Sequence, residues 1–131
     1  MLADTGYGQG QVLMSVLDLA RAYTPFVNEG KLVEPYFVDE EKSGEKEQII
    51  SAETAESIRS YLTKVVTDSR GTGNPLNEIA DDIGGKTGTA EIGLGADGKQ
   101  RELGWFMLLD QSEQTPYITT VMIEEAQNRG G

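Results

Sequence analysis

The chain has no histidine and no cysteine among its 131 residues. Those absences exclude Ser-His-Asp and Cys-His triads, thiolate nucleophiles and nearly all zinc sites. Any nucleophile has to be Ser or Thr, with Lys, Asp, Glu or Tyr as its base. No disulfide can report the compartment. Long apolar runs are absent too: none approaches the roughly 20 residues that span a bilayer, so no membrane contact by this segment is expected. Met1 is followed at once by Leu-Ala-Asp-Thr-Gly, without a basic leader. The opening reads as a start placed inside a larger protein. Positive charge is scarce: 11 Lys and Arg against 22 Asp and Glu leave a net charge of −11. Such a field repels phosphate backbones and argues against nucleic acid as a partner. With 37% hydrophobic and 25% charged residues, the composition is that of an ordinary folded chain, and the length suits a single unit over residues 1–131.

What is present divides into helical and extended stretches. Gly6, Gly8 and Gly10 space out Tyr7, Gln9 and Gln11, and glycine there lets the backbone turn and approach other groups closely. Ser15, with Asp18 three residues on, predicts a helix start. Val16, Leu19, Ala20, Tyr23, Phe26 and Val27 follow at helical spacing. Pro25 should make the last turn irregular, and Gly30 should end it. Lys31 to Val38 reads as an edge strand with Pro35, Asp39 to Glu47 as a charged turn, and Gln48 to Ile50 as a short return strand. Ser51 caps a second helix, with Ala55, Ile58, Leu62, Val65 and Val66 on one face and an end near Asp68. An antiparallel meander follows: Ile83 to Ile92, Leu103 to Leu109 and Tyr117 to Glu124, joined by turns at Gly93–Gly98 and Gln111–Pro116. The expected fold is α+β: a three-strand antiparallel meander and a peripheral hairpin, with two packed helices.

One segment carries chemistry. In Gly84-Gly85-Lys86-Thr87-Gly88-Thr89-Ala90, strand alternation sends Lys86 and Gly88 one way and Thr87 and Thr89 the other. Gly88 bares the backbone to an extended ligand. Lys86 can attract a carboxylate, and the threonine hydroxyls can donate to it. Backbone N–H groups on an exposed edge can hold a peptide or an oxyanion. Trp105 and Phe106 are expected to supply at least one core residue.

The string K-T-G is a signature of β-lactamases and penicillin-binding proteins, and its surroundings strengthen the likeness. Gly6-Tyr7-Gly8-Gln9-Gly10-Gln11, the helix from Ala20-Arg21-Ala22-Tyr23 to Val27-Asn28-Glu29-Gly30, Gly85-Lys86-Thr87-Gly88-Thr89-Ala90-Glu91 and Gly104-Trp105-Phe106 resemble, in order and spacing, the C-terminal portion of a penicillin-binding transpeptidase domain, class B and Gram-positive-like. The resemblance implies a cleft-lining strand. In it Lys86 sets the electrostatics, and Thr87 and Thr89 bind the terminal carboxylate of a D-Ala-D-Ala stem peptide or a β-lactam. Gly88 borders them, and the Thr89 backbone N–H is one of two oxyanion donors. It implies no cofactor and no metal. It also implies peptidoglycan cross-linking at the extracytoplasmic face of the cell membrane by a parent protein anchored through an N-terminal segment.

The departures from the family pattern matter as much. No S-x-N occurs, and the only S-x-x-K string, Ser43-Gly44-Glu45-Lys46, falls in the charged turn too close to Lys86. The nucleophile and half of the oxyanion hole are therefore expected to be missing, and this chain to be inactive alone. Apolar faces left uncovered should make it self-associate. Two rival readings compete. One is a non-catalytic module that adds a peptide to the 83–92 strand. The other is a P-loop nucleotide-binding domain in which Ala80 to Thr87 cradles phosphates, with Phe106 to Asp110 as a strand ending in a metal-binding Asp. Asp81 and Asp82 would repel the phosphates, and the glycines after Thr87 oppose the helix a P-loop needs.

Overall fold

The computed structural model describes residues 5–6, 8–10, 12–37, 46–79, 82–112 and 116–126. Helix α1 spans Val16–Tyr23. Ser15 caps it: the Asp18 N–H donates to the Ser15 hydroxyl, and the Ser15 N–H donates to the Asp18 carboxylate. This reciprocal pair satisfies two end groups that helix geometry leaves open. Pro25 then tightens the chain into a 3-10 turn over Thr24–Val27, as its ring demands. Gly30 follows with φ of 84° and its N–H on the Pro25 carbonyl. A Cβ there would lie 2.2 Å from the Ile50 carbonyl oxygen, so only glycine fits.

The hairpin is shorter than its sequence suggests. Strands β1 (Lys31–Leu32) and β2 (Glu47–Gln48) pair antiparallel over two residues each. Beyond Leu32 the chain leaves the ladder before Pro35, which has no N–H to give it. The return strand starts one residue earlier than expected. Val38 and most of the Asp39–Glu47 turn lie outside the described residues.

Helix α2 runs Ala52–Thr67, with the Ser51 hydroxyl accepting from the Thr54 N–H. Ala55, Leu62 and Val66 are its buried residues, on the face that the apolar spacing selects. The sheet is a meander in the order β3-β4-β5, built from Ile83–Leu94, Gln100–Asp110 and Ile118–Glu124. Strand β3 extends two residues past its predicted end, because a bulge between Glu91 and Gly93 absorbs the misfit. The connecting turn therefore tightens at Gly95–Lys99, closed by the Gly95 N–H on the Lys99 carbonyl.

Helix α2 packs on β3. Ala55, Leu62 and Val66 with Ile83, Met107, Leu109 and Ala126 form the buried core among the described residues, and Pro25 is fully buried as well. Full burial of a leucine such as Leu62 contributes about 2 kcal/mol. Gly84 permits the close contact: a Cβ there would stand 3.2 Å from the Leu62 and Thr63 backbone. Trp105 and Phe106 are only half-buried, and Met107 and Leu109 fill the core instead. Helix α1 has no buried residue and lies against β5. No helix among the described residues is long and apolar enough to cross a membrane.

Candidate functional site

The 86–89 segment lies inside β3, paired Lys86 with Met107, Thr87 with Phe106, Gly88 with Trp105 and Thr89 with Gly104. On its other side β3 has no strand neighbour among the described residues. Lys86 and Thr89 are exposed, and Thr87 and Gly88 half-buried. The extended conformation, the edge position and the exposed ammonium are those the sequence led us to expect. Placement inside a strand also removes the P-loop alternative, in which Lys86-Thr87 had to open a helix.

Local contacts set the groups of the edge. Lys86 Nζ donates to the Thr87 carbonyl. The Gln9 side-chain amide donates to the Thr89 carbonyl at 2.9 Å. Carbonyls two residues apart in a strand face the same side, so Thr87 and Thr89 turn their backbone groups the same way, out of the ladder with β4. The Thr87 hydroxyl pairs with the Thr72 hydroxyl at 2.9 Å. A Cβ on Gly88 would meet only the Trp105 Cβ, at 3.5 Å. The glycine therefore leaves the backbone bare without being required by packing.

Thr72 reaches its partner because the end of α2 is pinned. The Gly73 N–H donates to the Val65 carbonyl at 3.0 Å, and Asn74 Nδ2 to the Val66 carbonyl at 3.1 Å. Gly71 is forced by the same fold-back: a Cβ would fall 2.1 Å from the Val65 carbonyl oxygen. Neither Thr72 nor the Gln9 contact is evident from sequence, because each joins distant segments. The available clue for Gln9 was its place among closely spaced glycines, which let a backbone run close to another strand.

Chemically, the edge offers a cation, two threonine hydroxyls and a row of backbone N–H donors. Those groups suit a carboxylate or a developing oxyanion. The perturbed ionisations lie elsewhere. Arg21 and Glu34 form a surface ion pair, whose hydrogen bond raises the guanidinium pKa and lowers that of the carboxyl. A hollow of about 600 Å³ lined by Leu32, Glu34, Lys46 and Glu47 shares no residue with the edge. Ser43 lies outside the described residues.

An antiparallel sheet with helices packed on it, carrying a Lys-Thr-Gly-Thr edge strand, defines a transpeptidase-like class of protein. Comparison with known proteins is specific. The model of the penicillin binding protein transpeptidase domain matches residues 1–131, and the chain belongs to that family. It is 42% identical over 135 residues to penicillin-binding protein 3 of Bacillus subtilis, covering 100% of this chain and 20% of that protein. It is 31% identical over 126 residues to a probable peptidoglycan D,D-transpeptidase, PenA, of Neisseria flavescens, covering 95% of this chain and 30% of that one. It is 35% identical over 101 residues to stage V sporulation protein D of B. subtilis, covering 68% of this chain and 15% of that protein. The chain thus spans between a seventh and a third of the length of these relatives.

Proposed function

We propose that this chain supplies the substrate-binding edge of a serine D,D-transpeptidase that cross-links peptidoglycan stem peptides and is acylated by penicillin. The observation that carries the reading is the extended Lys86–Thr89 segment at the edge of β3, with Lys86 and Thr89 exposed, in a chain of this family. In the assembled enzyme Lys86 draws the guest's carboxylate and orients the catalytic hydroxyls. The Thr87 and Thr89 hydroxyls bind that carboxylate, Gly88 lets the guest lie close, and the Thr89 N–H stabilises the tetrahedral oxyanion. Acylation breaks the guest's terminal amide, or the lactam amide, as a serine ester forms. No serine in a suitable S-x-x-K context is present, so the 131-residue chain by itself is inactive. The reaction takes place at the extracytoplasmic face of the cell membrane, with the parent protein held there by an N-terminal anchor.

A fluorescent penicillin tests this. The full-length protein should be covalently labelled, and Lys86→Ala should reduce labelling by at least tenfold. The 131-residue chain should stay unlabelled. Covalent label on this chain, or labelling of the parent that ignores Lys86, refutes the assignment. A non-catalytic peptide module remains the second reading, favoured by the missing nucleophile. It predicts reversible peptide binding with no labelling of the parent either.

The same chain, handled alone, should self-associate. Leu13 and Phe37 are 94% and 87% exposed, and Val121, Met122 and Ile123 of β5 are also uncovered. Exposed apolar surface favours association, and the outer edge of β5, which has no strand neighbour among the described residues, adds strand pairing. Sedimentation should show a dimer or larger assembly. A monomer at high concentration argues against it.

A further inference from the structure

The edge of β3 is closed to a neighbouring strand by two side chains. Lys86 Nζ holds the Thr87 carbonyl and the Gln9 amide holds the Thr89 carbonyl. A guest backbone that lies along this edge has to place its own N–H on such a carbonyl. The two plugs differ. Lys86 binds the carbonyl of its own neighbour and is exposed, so an arriving carboxylate draws it away at little cost. Gln9 comes from a segment 80 residues away, is neutral and is half-buried. Nothing about a carboxylate guest pulls it off, so only a competing donor at the same oxygen displaces it.

We propose that Gln9 gates the peptide-binding edge. Its amide keeps the Thr89 carbonyl satisfied while the edge is empty and yields that carbonyl to a backbone N–H of the guest. The guest class is an extended peptide with a free terminal carboxylate and an N–H in register with Thr89. This rests on reading β3 as a peptide-binding edge. Closure of the empty edge also blocks strand addition from other chains.

The test titrates the 131-residue chain with an acetylated tripeptide ending in D-Ala-D-Ala and with its singly N-methylated analogues, followed by NMR. In the unaltered chain the Gln9 side-chain amide protons should move to free-carboxamide positions as the guest saturates. Gln9→Ala, and Gln9→Met with similar bulk but no donor, should bind the tripeptide about three- to tenfold tighter, the worth of one net hydrogen bond. One N-methylated analogue should gain nothing from either substitution. Binding by the unaltered chain that both variants leave unchanged or weaken overturns the gate and spares the peptide-binding reading. Absence of tripeptide binding to all three proteins overturns both.

Discussion

Gly84 and Gly88 look alike in sequence, but the structure gives them different work, and substitution by alanine separates them. At Gly84 a new Cβ would stand 2.5 Å from Gln111 Nε2 and 3.2 Å from the Leu62 and Thr63 backbone. Gln111 can swing aside, but its carboxamide is paired with the Thr63 hydroxyl at 3.1 Å. Losing that bond costs about 1 kcal/mol. The helix backbone must also retreat by a few tenths of an ångström, and overpacking of this kind costs ~1–3 kcal/mol. Against these stands a gain of ~0.4–1 kcal/mol, because alanine restricts the unfolded chain. Gly84→Ala should therefore destabilise by about 2 kcal/mol, or roughly 6–8 °C in melting temperature. Gly88→Ala meets only the Trp105 Cβ at 3.5 Å, so its effect should stay within ~0.5 kcal/mol. The single tryptophan, Trp105, sits in β4 and reports urea unfolding by fluorescence. Equal midpoints for the two variants would refute the argument that Gly84 exists for the approach of α2 to β3.

Three further outcomes follow from the same contacts. Leu62→Ala removes a side chain only 7% exposed and should cost about 3 kcal/mol in the same urea assay. Thr72→Val should leave stability within ~1 kcal/mol yet change the Thr87 hydroxyl environment, read by a shift of the Thr87 NMR signals and by weaker binding of a carboxylate-ended peptide. Burial raises the Tyr23 pKa, so above the ordinary tyrosine value the unfolded chain loses a proton that the folded chain keeps. Stability should then fall as pH climbs through that range, and Tyr23→Phe should flatten the decline in thermal melts taken between neutral and alkaline pH.

Much of the architecture can be read from local chemistry. Ser15 with Asp18, and Ser51 with the apolar spacing from Ala55 to Val66, mark both helix starts, because capping and burial involve residues within a turn or two of each other. Pro25 announces its irregular turn for the same reason. The three long strands follow from alternation. The first strand of the hairpin was expected to reach Val38, but pairing persists only where a partner stands opposite, which no local pattern reports. Strand β3 continues through Gly93 because a bulge lets a glycine with φ of 102° stay in the ladder. The Lys86–Thr89 edge is legible as a strand with a charge and two hydroxyls. The hold of Gln9 on Thr89 and of Thr72 on Thr87 is not, since both depend on how separate segments pack.

The fold-back after α2 has a mechanical corollary. Val65 and Val66 anchor the loop that carries Thr72, so the Thr87 hydroxyl is coupled through one short rigid bracket to the final turn of a sixteen-residue rod. Displacement of that rod, by a core substitution or by a neighbour leaning on its flank, would be transmitted to the Thr87 hydroxyl, the proposed seat of a guest's carboxylate. Remote changes along α2 can in this way tune recognition without touching any group that meets the ligand.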